Sequence, residues 1–280
     1  MKVIKQPSEL HLYLDTVRNS GQIIGFVPTM GALHKGHLSL IEKSVSENNF
    51  TLVSIFVNPT QFNESSDFTA YPRNDEKDLR LLEKTGADAV FFPSVEGMYG
   101  SDKSLLNLDL EGLDTSMEGA FRPGHFKGVI TVVDKFFSLA KPNKAYFGLK
   151  DYQQLAVITL MAEKLHPSIK IIPCPIEREE SGLAMSSRNE LLSEHQREEA
   201  RAISKALFQL EEQWKKKDFR FLVPDALESL KSTSLSPEYL LIADSKTLVP
   251  LTAYTGRAAV ACIAARSGKV RLIDNVLLPA

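Results

Sequence analysis

An α/β fold built on a doubly wound parallel sheet is what three features of the sequence predict. Short apolar, β-branched runs alternate with helical patterns through residue 176, as strands buried on both faces by crossover helices do. One of these runs opens into a glycine-studded turn, residues 26–37, FVPTMGALHKGH, which leads straight into a helix. Beyond residue 176 the texture changes to charged helices and short strands closed by a hairpin. The chain divides on this reading into a Rossmann-like domain over residues 1–176 and a smaller C-terminal α+β domain over residues 177–280.

The elements follow in order. The first twenty residues read as a short strand and a helix, with Ser8 as N-cap and Leu10, Leu14 and Val17 on one face. Residues 22–28 are a buried strand that Pro28 stops. From His37 onward Leu38, Ile41 and Val45 recur at helical spacing, and residues 51–57 supply the next strand, so 22–57 form one βαβ unit. A helix over 74–86 has an N-cap at Asn74, early acids and a closing Gly86. Residues 89–93 are a strand and 97–100 a turn. Residues 118–128 read as a glycine-rich loop before an apolar helix carrying Val129, Val132, Val133, Phe136 and Phe137. Residues 144–148 and 169–176 complete the sheet. Between them lies a helix through Gln153, Gln154, Leu155, Val157 and Leu160, with Asp151 as its N-cap. In the second domain Ser193 and Gln196 form a capping box that opens a helix through Lys217. A second helix lies near 226–231. Strands at 239–243, 258–265 and 270–273 follow, with Ser267-Gly268 making the hairpin.

Composition bounds the function. With 280 residues and 43% hydrophobic side chains the chain can bury a full core. A net charge of −2 argues against a broad nucleic-acid surface, which needs an excess of Lys and Arg. The chain begins on a strand-like run without a signal-peptide core, and no stretch approaches membrane-spanning length, so a cytoplasmic protein without membrane partners is expected. Cys174 and Cys262, each isolated in an apolar run, fit buried thiols in a reducing compartment.

Chemistry concentrates at the strand-to-helix junction. The first N–H groups of a helix that follows a parallel strand are unpaired and favour an anion in the crevice. Gly31 and Gly36 remove Cβ atoms and let a flat ring or a phosphate approach the backbone. His34 and His37, three apart, would project toward one ligand, where imidazoles can donate to a phosphate and offset charge on a leaving pyrophosphate. Two other readings stay open at this point. The pair could ligate a metal, although no HExxH pattern is present and both cysteines are isolated. It could equally be a surface pair without a role.

Further polar groups follow other strands. Gln61, in Asn58-Pro59-Thr60-Gln61-Phe62, can both donate to and accept from a small substrate, though a loop Gln often faces solvent. Arg122, His125 and Lys127 could meet phosphate or carboxylate, or simply be solvated. Lys150 at a helix start is a fixed positive charge beside the crevice, and Gln154 lies one turn in. Met185-Ser186-Ser187-Arg188 places two hydroxyls beside a guanidinium, a workable phosphate clamp.

HxGH after a strand resembles the signature of the class I nucleotidyltransferase and aminoacyl-tRNA synthetase superfamily. The longer PTMGALHKGH resembles the pantoate-beta-alanine ligase family. NPTQF, RPGHF, FGxKDxQQ and the KMSKS-like MSSR fall in that family's order, so the resemblance covers nearly the whole chain. It departs from the family at Leu149, where a polar Glu or Gln is expected, and at Glu177, where a small apolar residue near adenine is expected.

The resemblance implies ATP-dependent ligation of pantoate and β-alanine through a pantoyl adenylate, releasing AMP and pyrophosphate. It implies an ATP site of Met30, Gly31, Ala32, Leu33, His34, Lys35, Gly36, His37, Gly148, Leu149, Lys150, Asp151, Glu177, Met185, Ser186, Ser187 and Arg188. The catalytic groups would be His34, His37, Lys150 and Arg188, and Gln61 and Gln154 would hold substrate, with Arg122 a weaker candidate. Mg²⁺ would accompany the phosphates through ligands the sequence leaves unknown. A homodimer is implied, and residues 177–280 would form a lid bearing the MSSR loop. Two alternatives stand beside this: a cytidylyl- or adenylyltransferase that stops after nucleotide transfer to a phosphate acceptor, and a nucleotide-binding module without catalysis.

Overall fold

A computed structural model describes residues 1–101 and 104–280. The chain runs β1 (Lys2–Ile4), α1 (Pro7–Asn19), β2 (Ile24–Thr29), α2 (Lys35–Glu47), β3 (Phe50–Ile55), α3 (Ser65–Ala70), α4 (Asp75–Leu82), β4 (Ala89–Phe91), α5 (Val95–Tyr99), α6 (Met117–Phe121), α7 (His125–Ala140), β5 (Lys144–Gly148), α8 (Tyr152–Leu165), β6 (Lys170–Cys174), α9 (Glu194–Gln213), α10 (Phe219–Glu228), β7 (Ser236–Asp244), β8 (Ala259–Ser267) and β9 (Val270–Leu278). By contacts the chain forms two compact units. The first holds residues 1–110, 122–149 and 154–175, and the second holds 111–121, 150–153 and 176–280. The second unit thus takes up two short segments that precede residue 176 in sequence. No described helix is long and apolar enough to cross a membrane.

In the first unit six parallel strands are ordered β1-β4-β3-β2-β5-β6. Strand order reverses between β2 and β5, and an open α/β sheet forms its ligand crevice at the carboxyl ends of such a pair. Alternation along β2 sends successive residues to opposite faces. Val27 joins Ile41, Val53, Leu82 and Val90 on one side. Phe26 packs on the other against Phe136 of α7, with ring centroids 5.6 Å apart. Both faces are covered, which is why these strands read as unbroken apolar runs.

The α2 face is fixed by a buried polar network. Tyr146 Oη donates to Glu47 at 2.9 Å and accepts from Asn48 Nδ2 at 2.7 Å, while Ser44 Oγ and Thr51 Oγ1 lie 2.9 Å apart. Burial, and next the bonds of Asn48 and Glu47, set the Tyr146 phenol, which is pushed up to about 12. Gly25 makes this close approach possible, because a Cβ there would stand 2.9 Å from Asn48 Cγ and closer still to Ser44 Oγ and Asn48 Nδ2.

The second unit has its own core. The antiparallel sheet β7-β8-β9 packs against α9 and α10 through Leu207, Leu210, Leu222, Ile242 and Ile263. Arg271 pairs with Glu118 and Glu238 at 2.7 Å each, and Tyr239 Oη donates to Glu118 at 2.8 Å. Gln153 accepts from Glu118 N and donates to the Leu113 and Ser116 carbonyls. These bonds explain why 111–121 and 150–153 belong to this unit.

Several local expectations are corrected. Pro28 lies inside β2: pairing to β5 covers only Gly25 and Phe26, so on that side the strand has the edge character that tolerates proline. Ser8 is not the cap of α1, because Gln6 occupies that position with Pro7 as the first helical residue. Residues 97–100 are not a free turn but close α5, which Ser94 caps by accepting from Gly97 N. The 118–128 loop contracts to its middle, its ends winding into α6 and α7. Asp151 ends a 3-10 turn continuous with α8, so it does not hold the non-helical cap position. Helix α9 stops at Gln213, and α10 starts at Phe219, capped by Asp218. The hairpin turn is Gly268-Lys269, since Ser267 still pairs with Val270. The Ser193–Gln196 capping box is present as expected.

Gly25→Ala should lower stability by about 1–3 kcal/mol, the usual cost of overpacking a tight contact. A urea midpoint equal to wild type would contradict the packing described for α2.

Candidate active site

The turn from β2 to α2 satisfies itself. Thr29 Oγ1 donates to the Ser54 carbonyl at 2.7 Å and accepts from Gly31 N at 3.2 Å. Gly31 and Ala32 both have positive φ, +77° and +48°, a region costly for Ala by about 1–2 kcal/mol. The carboxylate of Asp78, on α4, holds that shape, accepting from Ala32 N through Oδ2 and from Leu33 N through Oδ1, each at 2.8 Å. Asp78 is 1% exposed. Burial raises its carboxyl above the ordinary value, and the Leu33 and Ala32 N–H bonds oppose the rise.

The two histidines then cap α2 reciprocally. His34 Nδ1 accepts from Gly36 N at 3.1 Å, and His37 Nδ1 accepts from His34 N through a long 3.4 Å contact. Their ring centroids stand 4.1 Å apart. Accepting through Nδ1 assigns the proton of each neutral ring to Nε2. Of the first helical N–H groups, Gly36 N and His37 N already have partners in the His34 ring and carbonyl, and the Gly31, Ala32, Leu33 and His34 N–H groups of the preceding turn are bonded as well.

Gln61 closes the 3-10 turn Pro59–Gln61 and is buried rather than solvated. Its Oε1 accepts from Asn58 Nδ2 at 3.2 Å, and its Nε2 lies 2.9 Å from Met30 Sδ. Its carbonyl accepts from His125 Nδ1 at 2.8 Å and from Arg122 Nη2 at 3.3 Å, so Arg122 is brought to the Gln61 turn. Gly128 lies against the same turn, where a Cβ would collide with the Thr60 carbonyl. Gln154 sits half-buried on α8.

The remaining candidates lie at or beyond the end of β5. Gly148 ends β5 opposite Cys174, and Leu149, Lys150 and Asp151 form the 3-10 turn. In the second unit the Lys150 carbonyl accepts from Asn275 Nδ2 at 2.8 Å. Glu177 is exposed, and its carbonyl accepts from Met185 N at 2.9 Å. Ser186 caps the turn Ser187–Leu191 by accepting from Arg188 N at 3.3 Å, which leaves its hydroxyl proton to donate. Asn189 props this loop, donating to Glu179 Oε1 at 3.0 Å and to the Ala184 carbonyl at 3.1 Å. Arg178 anchors its base on Asp274 at 2.6 and 3.0 Å. Asp78 and Arg178 escape the sequence reading because their partners are distant backbone atoms or residues far along the chain.

Among the described residues no group of three or more His, Cys, Asp or Glu could hold a metal. The family model for pantoate-beta-alanine ligase matches residues 2–277. The chain belongs to the pantoate-beta-alanine ligase family. A pantothenate synthetase of Acetivibrio thermocellus is 45% identical over 283 residues, covering 99% of each chain. One of Bacteroides thetaiotaomicron is 46% identical, covering 99% of this chain and 98% of that protein. The crystal structure of pantothenate synthetase from Thermus thermophilus matches with a TM-score of 0.92 at 39% identity over 99% of both chains. That of the Francisella tularensis ligase, complexed with beta-gamma ATP and beta-alanine, matches at 0.82 and 37% identity, over 99% of this chain and 97% of that one.

This pantoate-beta-alanine ligase therefore makes pantothenate in an ATP-dependent reaction, and the nucleotidyltransferase and non-catalytic readings fall away.

Asp78→Asn should destabilise the enzyme by about 1–3 kcal/mol, because an amide nitrogen would face one of the two N–H donors and leave it unpaired. Unfolding at the wild-type urea midpoint would contradict the role given to this carboxylate.

Proposed function

We propose that ligation proceeds in two steps. The pantoate carboxylate attacks the α-phosphorus of ATP, and pyrophosphate leaves. The amine of β-alanine then attacks the acyl carbon of pantoyl adenylate, and AMP leaves. No covalent enzyme intermediate is required.

The observation that carries this reading is the reciprocal imidazole cap. It commits Nδ1 of His34 and His37 to the helix and gives both Nε2–H groups to the phosphates, where they offset charge on the transferring and leaving groups. Lys150 and Arg188 add fixed positive charge, with Ser186 and Ser187 as small donors. The turns 30–37 and 148–151, with Glu177 and Met185, make up the rest of the ATP site. Glu177 can serve through its backbone, so the departure there is harmless, and Leu149 lends only its backbone. Gln61 and Gln154 hold pantoate, and Arg122 steadies the Gln61 turn. Much of the rate comes from positioning two bound reactants.

Mg²⁺ would enter on the phosphates of ATP and supply charge neutralisation there, through protein ligands that are not assigned. Residues 177–280 take the lid role, keeping water from the adenylate. We infer a homodimer, which the family resemblance implies.

ATP–pyrophosphate exchange with pantoate present and β-alanine absent tests the first step. Exchange dependent on pantoate is expected, and none in a folded protein that binds ATP would overturn the adenylate. His37→Ala and Lys150→Ala should each lower turnover by a factor on the order of 10² or more with the fold intact. Wild-type turnover in either variant would remove that residue from the mechanism.

A further inference from the structure

Gln61 is backed by a chain of hydrogen bonds that begins on a different element. Tyr99, the last residue of α5, is 4% exposed and donates its phenol proton to Asn58 Oδ1 at 2.7 Å. That is the shortest bond Asn58 makes. The same oxygen also accepts from Thr60 Oγ1 at 3.1 Å and Thr60 N at 3.3 Å. With its oxygen engaged by donors, Asn58 turns its amide nitrogen the other way, donating to the Gly128 carbonyl at 3.1 Å and to Gln61 Oε1 at 3.2 Å. Asn58 is 1% exposed, so its amide has no solvent to fall back on.

The consequence falls on Gln61. An amide has one acceptor end and one donor end, and a buried donor on one side decides which end faces the other way. Because Oε1 is claimed by Asn58, Gln61 presents Nε2. That nitrogen now faces Met30 Sδ, a weak acceptor that a carboxylate or hydroxyl oxygen would outcompete. Nothing in the turn 58–61 supplies a bond as short as the one from Tyr99, which ties the turn to α5. The Tyr99 ring is itself held, with Lys135 Nζ 5.3 Å over its centroid and Phe56 at 6.3 Å.

We propose that Tyr99 is a positioning residue for pantoate: through Asn58 it fixes the Gln61 side chain with Nε2 toward the substrate's oxygens. The proposal rests on the reading of Gln61 as a pantoate-binding residue. Tyr99 touches no substrate and acts only through the relay.

Steady-state kinetics of Tyr99→Phe, Gln61→Ala and the double variant test it. Tyr99→Phe keeps the ring and removes one buried hydroxyl, so it should raise the KM for pantoate roughly 3- to 10-fold, the range of one buried hydrogen bond, with the KM for ATP unchanged and kcat altered less than the pantoate KM. Gln61→Ala should raise the pantoate KM further. Adding Tyr99→Phe to Gln61→Ala should then change it no more, because the relay has lost its end. A raised pantoate KM in Gln61→Ala beside a wild-type value in Tyr99→Phe overturns the role of Tyr99 and leaves that of Gln61 standing. A wild-type pantoate KM in Gln61→Ala overturns the reading of Gln61, and the relay with it. Equal rises in every KM, or full additivity in the double variant, would make Tyr99 a structural residue and overturn the proposal.

Discussion

The turn between β2 and α2 has to solve two problems with the same few atoms. It must leave a parallel strand at Thr29 and start a helix at Lys35, and on the proposed reading it must present hydrogen-bond donors to a nucleotide. A helix start normally answers the second need with its own N–H groups. Here Gly36 N and His37 N of the first helical turn are bonded to His34, and in the turn before the helix Asp78 takes two N–H groups, Thr29 one and His37 one. The imidazole rings carry further donors, and the cap sets their orientation. Histidine suits this arrangement because one nitrogen can accept from the backbone while the other donates outward. Neither Asn nor Ser could cap through one atom and reach as far with another.

The rest of the first unit holds that turn at a fixed place on the sheet. Asp78 reaches it from α4, and its burial keeps water from competing for the Ala32 and Leu33 donors. Tyr146, Glu47, Asn48 and Ser44 fix the far end of α2 against β2, β3 and β5, with Gly25 giving the clearance. The Gln61 turn is gripped in the same way, by His125 and Arg122 at its carbonyl and by Asn58 at its side chain. In each case the residue that would meet substrate is short of freedom because its neighbours have used its other bonding capacity. In the second unit, the pair Arg178 with Asp274 and the amide of Asn189 hold the loop bearing Ser186 to Arg188. Burial raises the Asp274 carboxyl above its ordinary value, and the bond from Arg178 is the main influence opposing the rise.

The fold was legible where periodicity was strong. Unbroken apolar runs at 22–28, 51–57 and 144–148 read correctly as strands buried on both faces, because both faces are in fact packed. The helices beginning near residues 75 and 194 declared themselves through Asn74 and Ser193, and the one near 35 through the apolar stripe of Leu38, Ile41 and Val45. Short helices did not: α3, α5 and α6 have five or six residues each, too few to show a period. The motifs let the histidines, Lys150 and Arg188 be named as candidates for the site. Its supports were not legible. Asp78 looked like one of several acids in a first helical turn, since the backbone atoms it binds lie 45 and 46 residues away. Tyr99 sat in a stretch read as a turn, and its partner is 41 residues away. Only the folded chain brings such pairs together, and a backbone partner leaves no mark of residue type at the other end.

The caps of His34 and His37 set which nitrogen of each ring carries the proton, and the donors that the proposed mechanism offers to the phosphates follow from that choice. Long-range ¹H–¹⁵N correlation spectra of the histidine rings, with His34→Gln and His37→Gln variants for assignment, read it directly at a pH where both rings are neutral. The prediction is an unprotonated Nδ1 and a protonated Nε2 in both residues. A proton on Nδ1 of either ring would mean that its cap bond does not form, and the route from turn to phosphate donor would be wrong.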